Sequence, residues 1–248
     1  MLAVCRVRIP HSFLRFISTD IMQSSAFSRI QMLPFFQGIS RDELLRMLEC
    51  AKFDFVSTDE HECVVKQGQS ASKLIYALSG TFQIERFFMD DLRVVEELTA
   101  PFVFHPECLF GASPTWRYTL TCASDAQLLV ISKHDFINHL MDFPTFRISM
   151  LNYLCRLIDD APLPGEGNIK LTTRQSLIRY FQHIVATREG QKSFHVGMQF
   201  LADCLSTSRL AVSRVLRELQ EEGLLRVGRK NILVYDLSKL LNAEVKPK

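Results

Sequence analysis

The stretch STSRLAVSRVLREL, residues 206–219, carries side chains suited to contact with a polyanion. Apolar residues recur in it at helical spacing and predict one buried face: Val212, Val215, Leu216 and Leu219. The opposite face gathers three guanidinium and two hydroxyl groups: Ser208, Arg209, Ser213, Arg214 and Arg217. Guanidinium groups bond guanine edges and phosphates, and hydroxyl groups bond phosphates. A solvated amphipathic helix would show the same pattern, so the flanking elements must decide between such a helix and one that contacts a polyanion.

The flanking elements predict a winged helix-turn-helix. MQFLADCL, residues 198–205, is typical of a short helix with Leu201, Cys204 and Leu205 on one side, and STS would form the turn. Ala202 is small where two helices must cross closely. Two short strands are predicted around Gly228-Arg229-Lys230. In such a unit the second helix, predicted at 208–219, enters the major groove. We therefore predict DNA contacts from Gln199, Thr207, Ser208, Arg209, Leu210, Ser213, Arg214, Arg217, Arg229 and Lys230.

Composition and charge fit a two-domain protein with an anionic partner. The 248 residues are 47% hydrophobic and 23% charged, as in ordinary globular proteins. The net charge is only +2, but the chain from Thr172 onward has a surplus of six positive charges. A local basic surplus is the more useful sign of nucleic-acid binding. No apolar run approaches the roughly 18–20 residues of a spanning helix, so we expect no membrane partner and a cytoplasmic location.

Metal, redox and catalytic motifs do not occur in the sequence. The seven cysteines include no pair at two-residue spacing, which excludes a zinc ribbon and a CxxC motif. We expect reduced thiols, with Cys63, Cys108 and Cys122 buried in strands. No Gly-rich phosphate loop, HExxH or GxSxG motif is present. We therefore predict that the protein is not an enzyme.

The hydrophobic pattern predicts an α+β fold built in a fixed order. Residues 1–29 are expected to be an N-terminal extension, disordered or preceding a true start at Met22. Short alternating runs within 30–142 predict an antiparallel β-roll of the jelly-roll type, preceded by a helix with Ser40 as N-cap. Gly68 and Gly80 fall at its turns. The winged helix-turn-helix would occupy 171–248.

A dimerisation helix is predicted between these two domains, at 143–160. Pro144 suits its first turn, and five apolar residues form a wide face: Met150, Leu151, Leu154, Leu157 and Ile158. A helix beside a small roll needs only one stripe of apolar residues to pack against its own domain. The additional apolar residues of this helix therefore predict a homodimer. Two prolines and two glycines in the following segment predict a linker at 161–170.

These motifs together resemble the bacterial Crp–Fnr family of transcription regulators. The likeness spans about residues 30–240 and includes LPFFQGISRDEL, KQGQSASKLIYALSG and SRLAVSRVLREL, the last at the position of the family's recognition helix. It implies a dimer that binds a near-palindromic site. The family's acidic residue after the serine–arginine pair is replaced by Leu210, which offers only apolar contact, for example to a thymine methyl. The operator should differ accordingly.

The resemblance also places a candidate effector pocket in the roll. Glu107 would face a ribose hydroxyl, Arg117 would face the phosphate, and Tyr118 replaces a small hydroxyl residue. Pro106 replaces a glycine and removes an N–H donor that a cyclic phosphate needs. Alternatively, Glu107 and Arg117 form an internal ion pair. We expect no cofactor. A cyclic nucleotide or a haem bound by His61 or His105 is the less favoured alternative, and Cys5 stands too isolated for an iron–sulfur cluster.

Two functions remain open at this point. The first is a homodimeric transcription regulator that binds double-stranded DNA, with RNA polymerase and an unidentified small-molecule effector as further partners. The second is a β-roll ligand- or protein-binding module whose helix-turn-helix contacts proteins. Trp116, Phe87 and Phe88 would line a small-molecule pocket in the roll or belong to its core.

Overall fold

The computed structural model describes residues 30–88, 92–110, 112–159, 171–187 and 189–243. The predicted extension at 1–29 and the predicted linker at 161–170 lie outside the described residues. The domain boundaries given above therefore remain predictions.

A short helix precedes the sheets. Helix α1 spans Arg41–Cys50, and the Ser40 hydroxyl accepts a hydrogen bond from the Glu43 amide at 3.2 Å. This bond satisfies one of the free N–H groups of the first turn and confirms the predicted N-cap. Leu44 and Met47 are fully buried and anchor the helix to the roll.

The alternating runs form an antiparallel β-roll, as predicted. Its strands are β1 Phe53–Thr58, β2 Cys63–Val65, β3 Lys73–Ser79, β4 Thr81–Phe87, β5 Arg93–Thr99, β6 Phe102–Val103, β7 Thr119–Cys122 and β8 Ala126–Ser132. One sheet has the order β1-β8-β3-β6, and β5-β4-β7-β2 lie consecutively in the other. Along β4, Phe82 and Ile84 are buried, whereas Thr81, Gln83 and Glu85, which alternate with them, are half-buried. This period of two is what an inward-facing set of side chains requires.

Gly80 is required at the turn between β3 and β4. Its φ is +101°, which favours glycine, and a Cβ there would lie 2.6 Å from the Cβ of Ala126. The predicted turn at Gly80 is therefore confirmed, and so is that at Gly68, whose φ is +86°.

The helix after the roll presents two different apolar faces. Helix α2 spans Lys133–Asn138, and α3 begins at Pro144, as predicted, and ends at Asp159. Phe146 and Met150 are buried in the roll's core, and Leu154 packs against that core. The large apolar residues that α3 leaves exposed are Ile148, Leu151, Leu157 and Ile158. Part of the apolar surface predicted from Met150 to Ile158 therefore covers the roll, and the rest of it is exposed.

The C-terminal unit, residues 171–243, contains the predicted helix-turn-helix and wing. Its elements are α4 Thr173–Ile184, β9 Lys192–His195, α5 Met198–Cys204, α6 Arg209–Glu221, β10 Leu225–Gly228, β11 Asn231–Val234 and α7 Leu237–Asn242. Phe181 of α4 stacks on Phe194 of β9 with ring centroids 4.2 Å apart, and both rings are fully buried. Strand β9 was not predicted.

Strand β9 joins the two halves of the molecule in one sheet. It pairs with β11 of the wing on one side and with β5 of the roll on the other, giving the order β10-β11-β9-β5-β4-β7-β2. Leu92 and Val94, from the roll's β4–β5 hairpin, are buried in the core of the C-terminal unit. The roll and the C-terminal unit therefore share backbone hydrogen bonds and a hydrophobic core.

Of the three cysteines predicted to be buried in strands, Cys122 is a buried strand residue, as predicted. Cys108 is buried, as predicted, but it lies in a 3-10 turn rather than a strand. The predicted burial of Cys63 was wrong, because this residue is exposed. Within the ranges described, no helix is both long and apolar enough to cross a membrane.

Candidate nucleic-acid interface

Helix α6 is oriented by its apolar face. Val212, Val215, Leu216 and Leu219 are buried, as the sequence predicts, and pack into the core of the C-terminal unit. The Ser208 hydroxyl accepts the Ala211 amide at 3.2 Å and caps the helix. The remaining side of α6 faces outward.

The turn between α5 and α6 fixes the helix-turn-helix geometry. Ser206 has a φ of +49°, and the Thr207 amide donates to the Ala202 carbonyl at 3.0 Å. Ala202 has no exposed surface, which agrees with the prediction that a small side chain is needed there. A larger side chain at this position would force the two helices apart.

The exposed face of α6 carries the predicted contact residues. Arg209, Arg214 and Arg217 are exposed, and Leu210 is 72% exposed. Ser213 is half-buried.

The wing brings a second set of predicted residues to the same place. Arg229 and Lys230 form the two-residue connection between β10 and β11, and both are exposed. A cleft of about 330 Å³ lies between this hairpin and the start of α6, and Gln199, Arg209, Gly228 and Lys230 are among the residues that line it. Three predicted contact residues from three elements thus border one cleft.

Two contacts hold α6 relative to its neighbours. Arg174 of α4 donates to both carboxylate oxygens of Glu222 at 2.5 and 2.7 Å, and this hydrogen bonding raises the pKa of Arg174. The Val227 amide donates to Gln220 Oε1 at 2.8 Å, which links the wing to the end of α6. The arginine face and the wing are therefore fixed with respect to each other.

Two of the predicted residues are engaged within the protein. The Gln199 amide donates to Asp203 Oδ1 at 2.9 Å, and the Ser208 hydroxyl is used as the N-cap. A DNA contact by Gln199 would have to exchange this bond for one to DNA.

The candidate effector pocket contains a histidine that the sequence interpretation did not include. His105 Nδ1 lies 2.7 Å from Glu107 Oε1, and the His105 ring stacks on Tyr118 with centroids 4.2 Å apart. His105 has a φ of +38°, a left-handed conformation that is uncommon for residues other than glycine. Its neighbour Pro106 opens a 3-10 turn. The sequence shows that His105 precedes a proline, but this feature does not predict the contact between His105 and Glu107.

The ionisation of the pocket follows from these contacts. Burial would raise the pKa of Glu107, but the hydrogen bond with His105 and the charges of His105 and Arg117 lower it overall. Burial raises the pKa of Tyr118 to about 12, although the charge of Arg86 opposes this. The pocket thus holds a carboxylate, a neutral phenol and a stacked imidazole.

The alternative of an internal ion pair between Glu107 and Arg117 was wrong. Arg117 is exposed, and the salt bridge of Glu107 is with His105. His61, the other imagined haem ligand, is an exposed turn residue whose Nε2 lies 3.5 Å from Glu60. Trp116 belongs to the core, whereas Phe87 is 52% exposed. In the part of the chain that the structure describes, no three His, Cys, Asp or Glu side chains are grouped to hold a metal ion.

Comparison with known proteins gives two family matches. A cyclic nucleotide-binding domain model matches residues 55–143, and a Crp-like helix-turn-helix domain model matches residues 151–243. No curated protein sequence gives a significant match.

Similar solved structures include three bacterial proteins. The Thermus thermophilus catabolite activator protein is 20% identical, with 84% of this chain and 97% of that chain covered and a TM-score of 0.46. DNR from Pseudomonas aeruginosa is 21% identical, with coverages of 89% and 98% and a TM-score of 0.43. FixK2 from Bradyrhizobium japonicum is 15% identical, with coverages of 79% and 100% and a TM-score of 0.39.

Proposed function

The chain belongs to the Crp–Fnr family of transcription regulators, and we propose that it binds double-stranded DNA as a homodimer at a near-palindromic promoter site. Helix α6 is the proposed recognition element, placed in the major groove, and the wing contacts the flanking backbone. RNA polymerase and an effector of the roll are the further proposed partners, and the proposed location is the cytoplasm.

The observation that carries this proposal is the shared cleft between α6 and the wing. Arg209 and Lys230 border it from different elements, while Arg214 and Arg217 continue the same exposed basic face. A helix that merely faced water would not need a basic hairpin held beside its first turn. Arg214 follows Arg209 by five residues, about 140° around the axis at ~100° per residue. The two guanidinium groups are therefore suited to different bases or to a base and a phosphate.

The proposed dimer forms through the outer face of α3. Ile148, Leu151, Cys155 and Ile158 follow one another at intervals of three, four and three residues, the spacing of a coiled-coil seam. All four are exposed in the single chain. Leu154, expected from the sequence to lie in this interface, instead packs against the roll.

The dependence of DNA affinity on salt tests the proposal. The probe is double-stranded DNA from the region upstream of the protein's own gene, titrated at several salt concentrations. For phosphate contacts, log K falls linearly with log salt by about 0.9 per contacted phosphate. A steep slope is expected. Absence of binding to this and to random DNA would favour a β-roll module whose helix-turn-helix contacts proteins.

A further inference from the structure

An ion pair is buried where the roll meets the C-terminal unit. Glu96 of β5 and Lys192 of β9 are opposite one another in the strand register. Lys192 Nζ lies 2.8 Å from Glu96 Oε2, and the two side chains are 0% and 1% exposed. Unlike the Arg174–Glu222 pair, whose partners are both partly exposed, this pair has no access to solvent.

The hydrogen bonds of the pair are completed from the segment that follows α4. The Glu96 carboxylate accepts from the Ala186 amide at 2.5 Å, and from the Thr187 amide and hydroxyl at 3.0 Å each. Lys192 Nζ also donates to Thr187 Oγ1 and to the Glu189 carbonyl, each at 2.6 Å. The carboxylate comes from the roll and these partners from the C-terminal unit, so the roll alone does not satisfy Glu96, and the C-terminal unit alone does not supply the counter-charge of Lys192.

The same boundary is closed by backbone pairing and apolar packing. Arg93 to Glu96 pair in register with Lys192 to His195. Leu92 and Val94 are 2% and 1% exposed, and they share a core with Phe194 and Phe181. Phe88, whose amide donates to the Leu92 carbonyl across the hairpin at 2.9 Å, packs against that core too.

Separation of the two halves would leave Glu96 without these hydrogen-bond partners and would leave Lys192 without its counter-charge, although Lys192 would keep its bonds to Thr187 and Glu189. Breaking a buried pair is strongly unfavourable because each charge loses its compensation. We propose that Glu96, Lys192 and the β5–β9 pairing form an interdomain latch, which fixes the orientation of the C-terminal unit relative to the roll. The latch does not cover the DNA-contact face, since Arg209, Arg214 and Arg217 are exposed while it is closed.

A fixed orientation has a consequence that rests on the proposed function. In a dimer joined through α3, two latched units present their recognition helices at one separation. Half-site spacing in DNA mirrors that separation. The latch therefore restricts the protein to one half-site spacing without altering the contacts to each half-site.

Hydrogen exchange tests the latch without DNA. Lys192→Met should raise the exchange rates of the Ala186 and Thr187 amides and of β5 by about 100-fold or more, while β3 and β8 stay protected. Arg174→Met, which breaks an ion pair inside the C-terminal unit, is the matched control and should leave these amides unchanged. The double variant Glu96→Leu/Lys192→Met replaces the pair with apolar groups and should restore the protection of β5, whereas the Ala186 and Thr187 amides, which donate to Glu96, lose their acceptor and should stay fast. Equal effects of Lys192→Met and Arg174→Met on these amides would overturn the latch.

A disulfide provides a second test that does not depend on stability. Val95 and Ser193 are opposite one another in the register, at a separation that a disulfide can bridge with small adjustment. The variant Val95→Cys/Ser193→Cys should form this bond on mild oxidation, as shown by peptide mass spectrometry. The pair Glu97→Cys/Ser193→Cys, displaced by two residues, should not. Failure of the first pair, or equal yields from both, would contradict the docked arrangement.

Selection from a random-sequence DNA pool then tests the effect on spacing. The wild-type protein and the oxidised Val95→Cys/Ser193→Cys protein should select half-sites at one spacing, and Lys192→Met should select the same half-sites at several. Identical spacing for all three would contradict the proposed role in orientation. If none of them binds DNA, the proposed function fails, while the exchange and disulfide results still decide whether the latch exists.

Discussion

His105 Nδ1 lies 2.7 Å from the Glu107 carboxylate, and the same imidazole stacks on Tyr118. The resemblance to family members that bind cyclic nucleotides implies that a glutamate at position 107 faces the ribose. In those members a small hydroxyl residue stands where this chain has Tyr118. The imidazole of His105 therefore occupies the Glu107 carboxylate with an internal contact, and the same ring covers one face of Tyr118. A nucleotide would have to displace His105 and find room beside a buried phenol.

We accordingly predict that cyclic AMP and cyclic GMP leave the protein's thermal stability and DNA affinity unchanged. A ligand at 100 times its Kd would stabilise the native state by about 2.7 kcal/mol, which a thermal-shift assay detects readily. A distinct shift at millimolar nucleotide would show that the retained Glu107 and Arg117 are sufficient for binding despite Pro106 and Tyr118.

The dimer interface is tested by Leu151→Glu. This change places a carboxylate in the centre of the proposed α3 seam, where the partner helix would have to bury it, so monomers are expected in sedimentation-velocity runs. Asn152→Glu is the control, because residue 152 is exposed beside the seam rather than in it. A Leu151→Glu protein that sediments like wild type would exclude this interface.

Leu154→Glu, at another residue of the apolar face predicted from the sequence, would be less informative. Its side chain packs against the roll, so the change would disturb the fold together with any interface. Helical periodicity predicted α3 and its start at Pro144, but it cannot divide an apolar helix surface between two partners. That division depends on Phe146 and Met150 meeting the roll's core, which only the tertiary structure provides.

The pairing of strands and side chains that are distant in the chain could not be predicted from the sequence either. The helix-turn-helix and the wing are local features, and their periodicity and turn residues predicted them correctly, whereas the cap formed by Ser208 was not predicted. Strand β9 has only four residues, and its partner β5 lies about a hundred positions earlier in the chain. Lys192 and Glu96 are polar residues in short strands, and nothing in their local sequence predicts burial. Similarly, the pairing of His105 with Glu107 depends on an uncommon backbone conformation.

Stability should fall on mild acidification because of His195. Burial and the charge of Arg93 lower the pKa of His195, while Glu85 opposes this. Below the ordinary value of 6.5, the unfolded chain takes up a proton that the folded chain resists. The contribution of neutral His195 to the free energy of unfolding is therefore fully present above pH ~6.5, and it is lost as the pH falls through the pKa of His195 in the folded protein. Denaturant titrations at pH 7.5 and 5.5 should show a smaller loss in His195→Gln than in wild type. His61→Gln, at an exposed turn, should behave like wild type, and an unchanged pH dependence in His195→Gln would contradict the assignment.

Arg217 is expected to contact a phosphate. It lies two turns beyond the start of α6 and is exposed, at the point where we expect the helix to leave the major groove. Arg217→Ala should weaken binding to cognate and random DNA alike and reduce the salt slope by about one unit per subunit. Arg46→Ala, an exposed arginine on α1, is the control and should leave the slope unchanged. A loss confined to cognate DNA would instead assign Arg217 to base reading.

The most direct test of DNA reading by α6 is a titration of Arg209→Ala against cognate and scrambled DNA at two salt concentrations. Arg209 is exposed in the first turn of α6 and borders the cleft with Lys230, so its guanidinium is placed to bond guanine O6 and N7. We predict a loss of about 1–3 kcal/mol on the cognate site, relaxed preference at one base pair per half-site and little change on scrambled DNA. Wild-type affinity for both DNAs, or an equal loss on both, would contradict the claim that α6 reads the operator through Arg209.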